Sequence, residues 1–253
     1  MTASSIVVVA AEDTPRAKAL AEQLALPLFE PNALLPRECV AYLSYRDERL
    51  QLFPADAKQS GPVCVDFASN ATAHRLQSGT ELIVKAARGR SKNSLSVIDA
   101  TAGLGRDSFV LAAQGFDVTL IERNAVIAAL LRDGLLRAEQ SSAMESVARM
   151  RLICADALAY MDGLPGEQRP DVIYLDPMFA HNEKTAMVKK EMRLFRQLLD
   201  DDHCVESELL SRARAAAKLR VVVKRALKAS AFADVEPAYA LTGKAIRFDV
   251  YPS

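Results

Sequence analysis

A glycine-containing turn between two acidic residues is the first candidate for ligand binding. Residues 96–107 begin with the run Ser-Val-Ile, reach Asp99, and continue to Gly103, Gly105 and Asp107. An apolar run that ends in an acid is typical of a buried strand, and glycine allows a ligand to approach the backbone because it has no Cβ. Many α/β turns contain a Gly-x-Gly pair, so the pair alone leaves a nucleotide-like ligand and a plain structural turn equally open.

The charges around this turn distinguish between two classes of nucleotide ligand. A dinucleotide site expects a third glycine at position 108, where this chain has Ser108. Asp99 and Asp107 would repel a pyrophosphate, whereas they would attract the sulfonium and ammonium groups of S-adenosylmethionine. The turn therefore predicts a cationic cofactor that lies beside Asp99, Gly103, Gly105 and Asp107.

Acidic residues also follow the next two predicted strands. Glu122 ends the second strand, 19 residues after Gly103, at the position where an acid accepts hydrogen bonds from ribose hydroxyls. Asp156 follows the third strand, where its carboxylate can accept from an adenine amine beside the backbone N–H of Ala157. Each acid alone is also consistent with a loop carboxylate or a helix cap. Together, acids at three consecutive strand ends favour S-adenosylmethionine as the cofactor.

A second segment, residues 171–179, has residue types suited to holding a flat amine. Its apolar strand ends at Asp176, and Pro177 and Phe179 follow. The Asp176 carboxylate can accept one N–H, Pro177 fixes the chain so that a carbonyl can accept the other, and Phe179 offers a stacking face worth about 1–3 kcal/mol. We interpret these three as catalytic residues for methylation of an exocyclic amine on a flipped or unpaired base. The alternative is an Asp-Pro turn that ends a strand above a core phenylalanine.

The chain between and after these acids alternates between strand and helix patterns. Such alternation produces right-handed crossovers and a doubly wound, mostly parallel sheet, which binds ligands at the carboxyl ends of its strands. A tight turn at residues 242–244 makes the last strand antiparallel to its neighbour, so we expect an α/β, Rossmann-like fold with an antiparallel last strand. The predicted strands cover residues 95–100, 117–122, 151–154, 171–175, 219–224, 238–241 and 245–251, and the predicted helices cover 107–114, 125–139, 183–199 and 206–217.

The beginning of the chain has a different pattern. We assign residues 1–80 to a small N-terminal α+β subdomain and residues 81–253 to the main domain. Because no helical crossover separates its later strands, the subdomain should contain antiparallel pairing. The chemistry of His74 and Arg75 defines no role for them, and we interpret them as a polar turn near the entrance of the site. The predicted elements of the subdomain are a strand at 6–10, a helix at 14–26, a hairpin at 40–53 and a short strand at 62–67.

The composition excludes several classes of protein. Half of the 253 residues are apolar, a quarter are charged and the net charge is zero, as in an ordinary globular enzyme. No apolar run approaches the roughly 18 residues that cross a membrane. The four cysteines are scattered and form no Cys-x-x-Cys pair. We therefore expect a cytoplasmic protein that has no metal site and no membrane contact.

Positive charge is concentrated after the second segment. Residues 184–228 contain twelve Lys or Arg and six Asp or Glu. Spacings of three and four place most of Lys189, Lys190, Arg193 and Arg196 on one face of a predicted helix. A basic face suits the phosphates of RNA, and a solvated helix surface is the alternative. The position of this helix directly after the predicted catalytic residues favours RNA.

Combined, these segments resemble a class I methyltransferase, and the residues from Asp176 to Phe179 are similar to the Asn/Asp-Pro-Pro-aromatic motif of amino-directed nucleic-acid methyltransferases. More narrowly, the chain resembles the ribosomal RNA small subunit methyltransferase J family. The combination of matching segments is far more specific than any one of them. The matching segments are residues 73–75, 99–107, 121–123, 174–179, 188–193 and 247–251.

The resemblance implies transfer of a methyl group from S-adenosylmethionine to the exocyclic N2 of one guanosine in 16S rRNA, guanosine 1516 in the standard numbering, with the small ribosomal subunit as partner. Two positions depart from the family pattern. Ala180 stands where the family usually has a second proline, and Asp156-Ala157 replaces a pair that is often small hydroxyl residues. The cofactor contacts implied by matching positions are Arg106, Asp107, Glu122, Arg123, Asp156, Ala157 and Asp176.

The residue pattern leaves other functions open. A methyltransferase of DNA adenine or protein glutamine would use the same motif, because both present planar amines or amides. A non-catalytic RNA-binding factor for ribosome assembly is a different class, although such a scaffold has no need of Gly103, Gly105, Glu122 and Asp176. A nicotinamide dehydrogenase is the least favoured. Neither the target nucleotide nor the oligomeric state follows from the residues themselves.

Overall fold

The computed structural model describes residues 5–56, 61–77, 81–177 and 206–253, and contacts group them into two units. Each unit has its own sheet. The predicted division at residue 80 stays a prediction. The first unit comprises residues 5–56, 61–65 and 129–134, and the second comprises residues 66–77, 81–128, 135–177 and 206–253.

The first unit is built on a mixed sheet. Its described elements are β1 (Ile6–Val9), α1 (Thr14–Leu24), β2 (Leu28–Phe29), β3 (Ala41–Arg46) and β4 (Arg49–Pro54). The described strands have the order β2-β1-β3-β4, in which β1 is parallel to both of its neighbours.

The predicted hairpin of the first unit is confirmed, because β3 and β4 pair in antiparallel register. Its two turn residues, Asp47 and Glu48, have φ of 50° and 61°, the left-handed conformation that tight hairpin turns require. The strand predicted at 62–67 is wrong. In that stretch Val63 makes an isolated bridge to Leu52, because the segment touches the hairpin at one point and then turns away.

The second unit contains the larger sheet. Its strands are β5 (Ser96–Asp99), β6 (Asp117–Glu122), β7 (Met150–Cys154), β8 (Val172–Leu175), β9 (Arg220–Ala226), β10 (Tyr239–Thr242) and β11 (Ile246–Pro252). The helices described in or through this unit are α2 (Asn70–Gln77), α3 (Glu81–Arg88), α4 (Arg106–Ala113), α5 (Ala125–Ala138), α6 (Met144–Val147), α7 (Ala157–Asp162) and α8 (Glu206–Ala216).

The strand order of this sheet confirms the predicted fold class. Over the described residues the order is β10-β11-β9-β8-β5-β6-β7; the strands from β9 to β7 are parallel, and β11 is antiparallel to both β9 and β10. The chain runs outward from β5 to β6 and β7, then returns to β8 on the other side of β5. The order therefore reverses between β5 and β8, and open α/β sheets bind ligands at such a point.

Helix α2 replaces the polar turn that was predicted around His74 and Arg75, so that prediction is wrong. Ser69 ends the preceding turn, and its hydroxyl accepts a hydrogen bond from the backbone N–H of Thr72 at 3.2 Å. A serine oxygen in that position satisfies one of the unpaired donors at a helix start and favours the helix. His74 lies exposed on this helix.

Alternation along the strands separates a packing face from a functional face. Ile98, Ile173 and Val221 belong to one buried cluster together with Leu209 and Leu210 of α8. The residues next to them in each strand point to the other face, because side chains alternate along a strand. On that other face Asp99 pairs in register with Tyr174 of β8, and Tyr174 with Val222 of β9. Helix α8 therefore anchors the sheet while its opposite face carries the candidate functional groups.

Candidate active site

The glycine turn after β5 adopts a conformation that needs glycine. Gly103 and Gly105 have φ of 54° and 70°, both left-handed, and a residue with a Cβ would pay roughly 1–2 kcal/mol there. The turn is closed by a hydrogen bond from the N–H of Gly105 to the Ala102 carbonyl at 2.8 Å. The N–H of Ala102 donates to the carbonyl of Ile121 on β6 at 3.1 Å. The backbone thus leaves β5 as a tight turn that leads directly into α4.

Glu122 fastens this turn to the end of β6. Its Oε2 accepts from the N–H of Gly103 at 2.9 Å, and its Oε1 accepts from the N–H of Asn124 at 2.8 Å. The side chain is buried, and burial raises the pKa of Glu122 although these two hydrogen bonds oppose the increase. Each carboxylate oxygen has two acceptor positions. Glu122 can therefore hold the turn and still accept from a ribose hydroxyl, and that predicted contact stays a prediction.

Asp99 supports the turn from inside the protein. It is 2% exposed, its Oδ1 accepts from the N–H of Thr101 at 3.1 Å, and its Oδ2 accepts from the Ser108 hydroxyl at 2.6 Å. Burial raises the pKa of Asp99 to about 7, and the nearby Asp107 and Asp176 carboxylates add to the increase. Its predicted contact with the cofactor stays a prediction. Ser108 occupies the position of the third glycine of a dinucleotide site, and here its hydroxyl donates to the Asp99 carboxylate.

Four side chains form a polar network at the reversal point of the sheet. The ammonium of Lys224, in the second half of β9, lies 2.8 Å from Asp107 Oδ2 and 2.7 Å from Asp176 Oδ2. The hydroxyl of Tyr174 donates to Asp107 Oδ2 at 2.7 Å. The backbone N–H of Asp176 donates to the Thr101 hydroxyl at 2.6 Å, which ties the end of β8 to the glycine turn. The predicted cofactor loop and the predicted reaction strand are therefore joined directly.

The pKa shifts in this network keep its donors protonated. Burial lowers the pKa of Lys224, but the adjacent Asp176 and Asp107 carboxylates outweigh that effect and raise it above its usual value. Burial also raises the pKa of Tyr174, and the Asp107 carboxylate raises it further. Lys224 is thus a permanent cation and Tyr174 a permanent donor at neutral pH. Lys224 thus holds the Asp107 and Asp176 carboxylates by charge and hydrogen bonds, and Tyr174 donates a further hydrogen bond to Asp107.

Sequence reasoning missed both Lys224 and Tyr174 as functional residues. Lys224 directly follows the run Val221 to Val223, which is fully buried, and a lysine directly after such an apolar run is an identifiable signal. The signal has meaning only when β9 is known to lie beside β8. Tyr174 was counted as part of a buried strand, and its hydroxyl reaches Asp107 because it shares a face with Asp99.

The remaining predicted cofactor residues lie along the same edge of the sheet. Asp156 is exposed and caps helix α7, since its side chain accepts from the N–H of Ala159 at 2.9 Å. Ala157 begins that helix and is half-buried. Arg106 begins α4 and Arg123 follows β6, and both are exposed. Their predicted cofactor contacts, including those of Asp156 and Ala157 with adenine, stay predictions.

Some predicted residues lie outside the described residues. Pro177 is described and half-buried, whereas Phe179 and Ala180 fall beyond it. Within the described ranges, no group of His, Cys, Asp or Glu has the arrangement of a metal site. No described helix is long and apolar enough to cross a membrane. The RNA-binding candidates Lys189, Lys190, Arg193 and Arg196 also lie outside the described part of the chain.

The chemistry of these side chains fits S-adenosylmethionine. Asp107 and Asp176 share the ammonium of Lys224, and the Glu122 carboxylate is bonded to neutral backbone N–H groups. Carboxylates placed around a glycine turn attract a sulfonium and an ammonium and repel a pyrophosphate. Glu122 lies at the end of the strand next to the turn, where an acid contacts ribose in sheets of this type. The residues present therefore suit a cationic nucleoside cofactor.

Comparison with known proteins points in the same direction. Residues 28–253 match the family model described as putative SAM-dependent methyltransferase. The chain is 50% identical to the ribosomal RNA small subunit methyltransferase J of Ectopseudomonas mendocina, over 83% of this chain and 82% of that protein. It is 46% identical to the protein of the same name from Stutzerimonas stutzeri, over 100% of this chain and 98% of that one.

A solved structure is also similar along almost the whole chain. It is a SAM-dependent methyltransferase from Neisseria gonorrhoeae, with 35% identity and a TM-score of 0.75. The match covers 97% of this chain and 95% of that one. The similarity includes both the first unit and the larger sheet that carries the site.

Proposed function

This chain belongs to the ribosomal RNA small subunit methyltransferase J family of SAM-dependent methyltransferases, and from that membership we propose that it methylates N2 of one guanosine in 16S rRNA, guanosine 1516 in the standard numbering. Its cofactor is S-adenosylmethionine. The observation that carries the proposal is the position of Asp176, whose carboxylate ends β8 beside the glycine turn and is held there by Lys224.

When bound, S-adenosylmethionine supplies an electrophilic methyl group on its sulfonium. Transfer of this group would form an N–C bond at the amine and break the S–C bond, whose electron pair would stay on sulfur. The nitrogen loses one proton, to water or to a carboxylate. Because the amine of guanine is not basic, we expect deprotonation during or after attack. Most of the rate then comes from alignment of the nitrogen with the methyl group.

Asp176 is the residue that we assign to this alignment. Its side chain is 38% exposed, so it remains accessible from the edge of the sheet. A carboxylate accepts hydrogen bonds, and an amine that donates to it has its lone pair turned in a defined direction. Asp176 therefore orients the amine and is not a strong base. Pro177 restricts the next backbone segment, whose carbonyl we propose as the second acceptor.

The RNA-binding part of the proposal rests on Lys189, Lys190, Arg193 and Arg196. Lysine and arginine contacts to phosphates contribute affinity that depends on salt and not on the base. Reversal of charge at Lys189 and Lys190 should therefore weaken binding of RNA by more than tenfold and leave binding of S-adenosylmethionine within about twofold, as expected for loss of phosphate contacts. Binding of both ligands can be measured on the same purified variant. Equal losses would argue against an RNA face.

The target can be tested by following tritium from labelled S-adenosylmethionine. Purified protein is incubated separately with small ribosomal subunits, free 16S rRNA, DNA and a protein extract. We expect label in the RNA of small subunits or in free 16S rRNA, and mass mapping should place it as N2-methylguanosine at a single position. Label in DNA adenine or protein glutamine would replace the proposed substrate. Binding of RNA without any transfer would indicate an assembly factor.

A further inference from the structure

Lys224 is set beside Asp176 by the register of the sheet. Leu175 of β8 pairs with Val223 of β9, so the next residues along each strand, Asp176 and Lys224, emerge side by side. Their contact is 2.7 Å long, between Nζ and Oδ2. The same ammonium contacts Asp107 of helix α4 at 2.8 Å. One lysine thus joins Asp107, a predicted cofactor contact, to Asp176, which the proposed function assigns to the substrate amine.

The surroundings of Lys224 require that its ammonium group be paired. Its side chain is 21% exposed, and a partly buried charge is tolerated only when it is paired and hydrogen-bonded. Asp107 is 12% exposed and Asp176 38% exposed, so the bridge runs from the interior toward the open edge. Two carboxylates this close repel each other, and the ammonium between them removes that repulsion.

We propose that Lys224 is a positioning residue for methyl transfer, which fixes the Asp176 carboxylate through Oδ2 so that Oδ1 accepts the amine N–H of the base. The inference rests on the proposed function, because it gives Asp176 its role. Lys224 itself does not touch the reacting atoms. It limits the rotation of a carboxylate that is otherwise accessible to water, and a misplacement of about 1 Å in such a group lowers rates by about a hundredfold.

This role predicts a specific pattern of effects. Loss of the positive charge leaves the attraction between the carboxylates and a cationic cofactor intact, so affinity for S-adenosylmethionine should be unchanged or greater. The rate should fall, because the orientation of Asp176 is lost. A lysine that only stabilises the fold would lower the rate, the cofactor affinity and the melting temperature together.

The experiment compares three variants with the wild-type protein on small subunits or 16S rRNA. Lys224→Met removes the charge, Lys224→Arg keeps it, and Lys218→Met changes an exposed lysine just before the same strand. For Lys224→Met we expect kcat to fall at least about thirtyfold while KM for RNA stays within about threefold, in the range for loss of one electrostatic positioning contact. Lys224→Arg should recover most of the rate, and Lys218→Met should match the wild type. Calorimetry with S-adenosylmethionine and thermal unfolding complete the comparison.

Two results would overturn the inference. One is a Lys224→Met protein with wild-type kcat. The other is a parallel loss of cofactor binding and melting temperature in Lys224→Met with no recovery in Lys224→Arg. If Lys224→Met does not fold, Lys224→Arg provides the test. Its kcat should stay close to the wild-type value, because it keeps the positive charge beside Asp176, and a large loss of kcat would contradict the inference. A wild-type protein that transfers no methyl group to RNA would instead refute the proposed function.

Discussion

The two halves of the site are held in different ways. In the turn after β5, the acids Asp99 and Glu122 are buried, and the hydrogen bonds that hold the turn come from backbone N–H groups and one serine hydroxyl. Beside the end of β8, Asp107 of helix α4 and Asp176 are partly exposed and share the charge of Lys224. The turn is therefore held by hydrogen bonds to buried acids, whereas the acids beside the end of β8 are held by an ion pair that is partly open to solvent.

This difference implies different consequences of mutation. Changes in the turn should alter stability and cofactor affinity, because its acids are bonded to the backbone. Changes at the end of β8 should alter rate, because the Asp176 carboxylate is bonded to a side chain and remains accessible. The four predictions below test that separation, beginning with the largest expected effect.

Asp176→Ala should lower kcat by at least about a hundredfold, because it removes the acceptor that aligns the amine. The fold should persist, since the backbone N–H that donates to Thr101 is retained. The measurement is single-turnover methyl transfer, with circular dichroism as a check on folding. The control is Asp117→Ala, at the exposed first residue of β6, because the amino ends of the parallel strands lie away from Asp176. Unchanged methylation in Asp176→Ala would refute the assignment.

Glu122→Gln should weaken binding of S-adenosylmethionine by about tenfold or more and destabilise the protein by about 1–3 kcal/mol. An amide has one oxygen, so one of the two backbone N–H groups that Glu122 now accepts from would face an NH2 group. Calorimetry and urea unfolding measure the two effects. Glu145→Gln, at an exposed position on helix α6, removes a glutamate charge without these contacts. Equal losses of cofactor affinity in the two variants would mean that the loss comes from the change in charge and not from the hydrogen bonds between Glu122 and the turn.

Asp99→Asn should change how stability depends on pH. The folded protein raises the pKa of Asp99 from 3.8 to about 7, so its contribution to stability is fully present below about pH 4 and is lost as the pH rises through 7. Unfolding free energy should thus fall with pH by up to about 1.4 kcal/mol per pH unit in this window for the wild type. Asp99→Asn should reduce that slope.

The measurement for Asp99→Asn is urea unfolding at several pH values between 4 and 8. Glu122 also has a raised pKa and contributes with the same sign, so the difference between the wild type and the variant isolates Asp99. Parallel curves for the two proteins would mean that Asp99 titrates alike in the folded and unfolded states. That outcome would contradict the raised pKa of the buried Asp99 carboxyl group.

Tyr174→Phe should have the smallest effect, a decrease in kcat of about three- to tenfold, as for loss of one hydrogen bond to a charged group. Asp107 loses the Tyr174 hydroxyl but keeps Lys224, so the bridge to Asp176 remains. The control is Tyr251→Phe, whose hydroxyl donates to the Val235 carbonyl on the packing side of the sheet. It should lower stability without lowering kcat. If Tyr251→Phe lowers kcat and Tyr174→Phe does not, the functional groups do not lie on the face of the sheet that carries Tyr174.

Much of the fold was predictable because its signals are local. The acids at the ends of β5, β6 and β8, the glycine turn and the antiparallel last strand all follow from short patterns of strand, turn and breaker residues. The strand expected at 62–67 failed because an apolar run does not reveal whether a neighbour is available to pair with it. The helix around His74 was missed because the serine at position 69, which caps its start, was not considered as a helix signal.

The sequence by itself determined which groups end the strands and what charge they carry, since both depend on residues next to each other in the chain. Only the tertiary structure decided which of these groups meet. Lys224 is 117 residues from Asp107 and 48 from Asp176 in the chain, and no local pattern relates them. The pairing of β9 with β8 and of β8 with β5 brings them within hydrogen-bonding distance. Strand order and register are long-range properties, and they convert separate acids into one site.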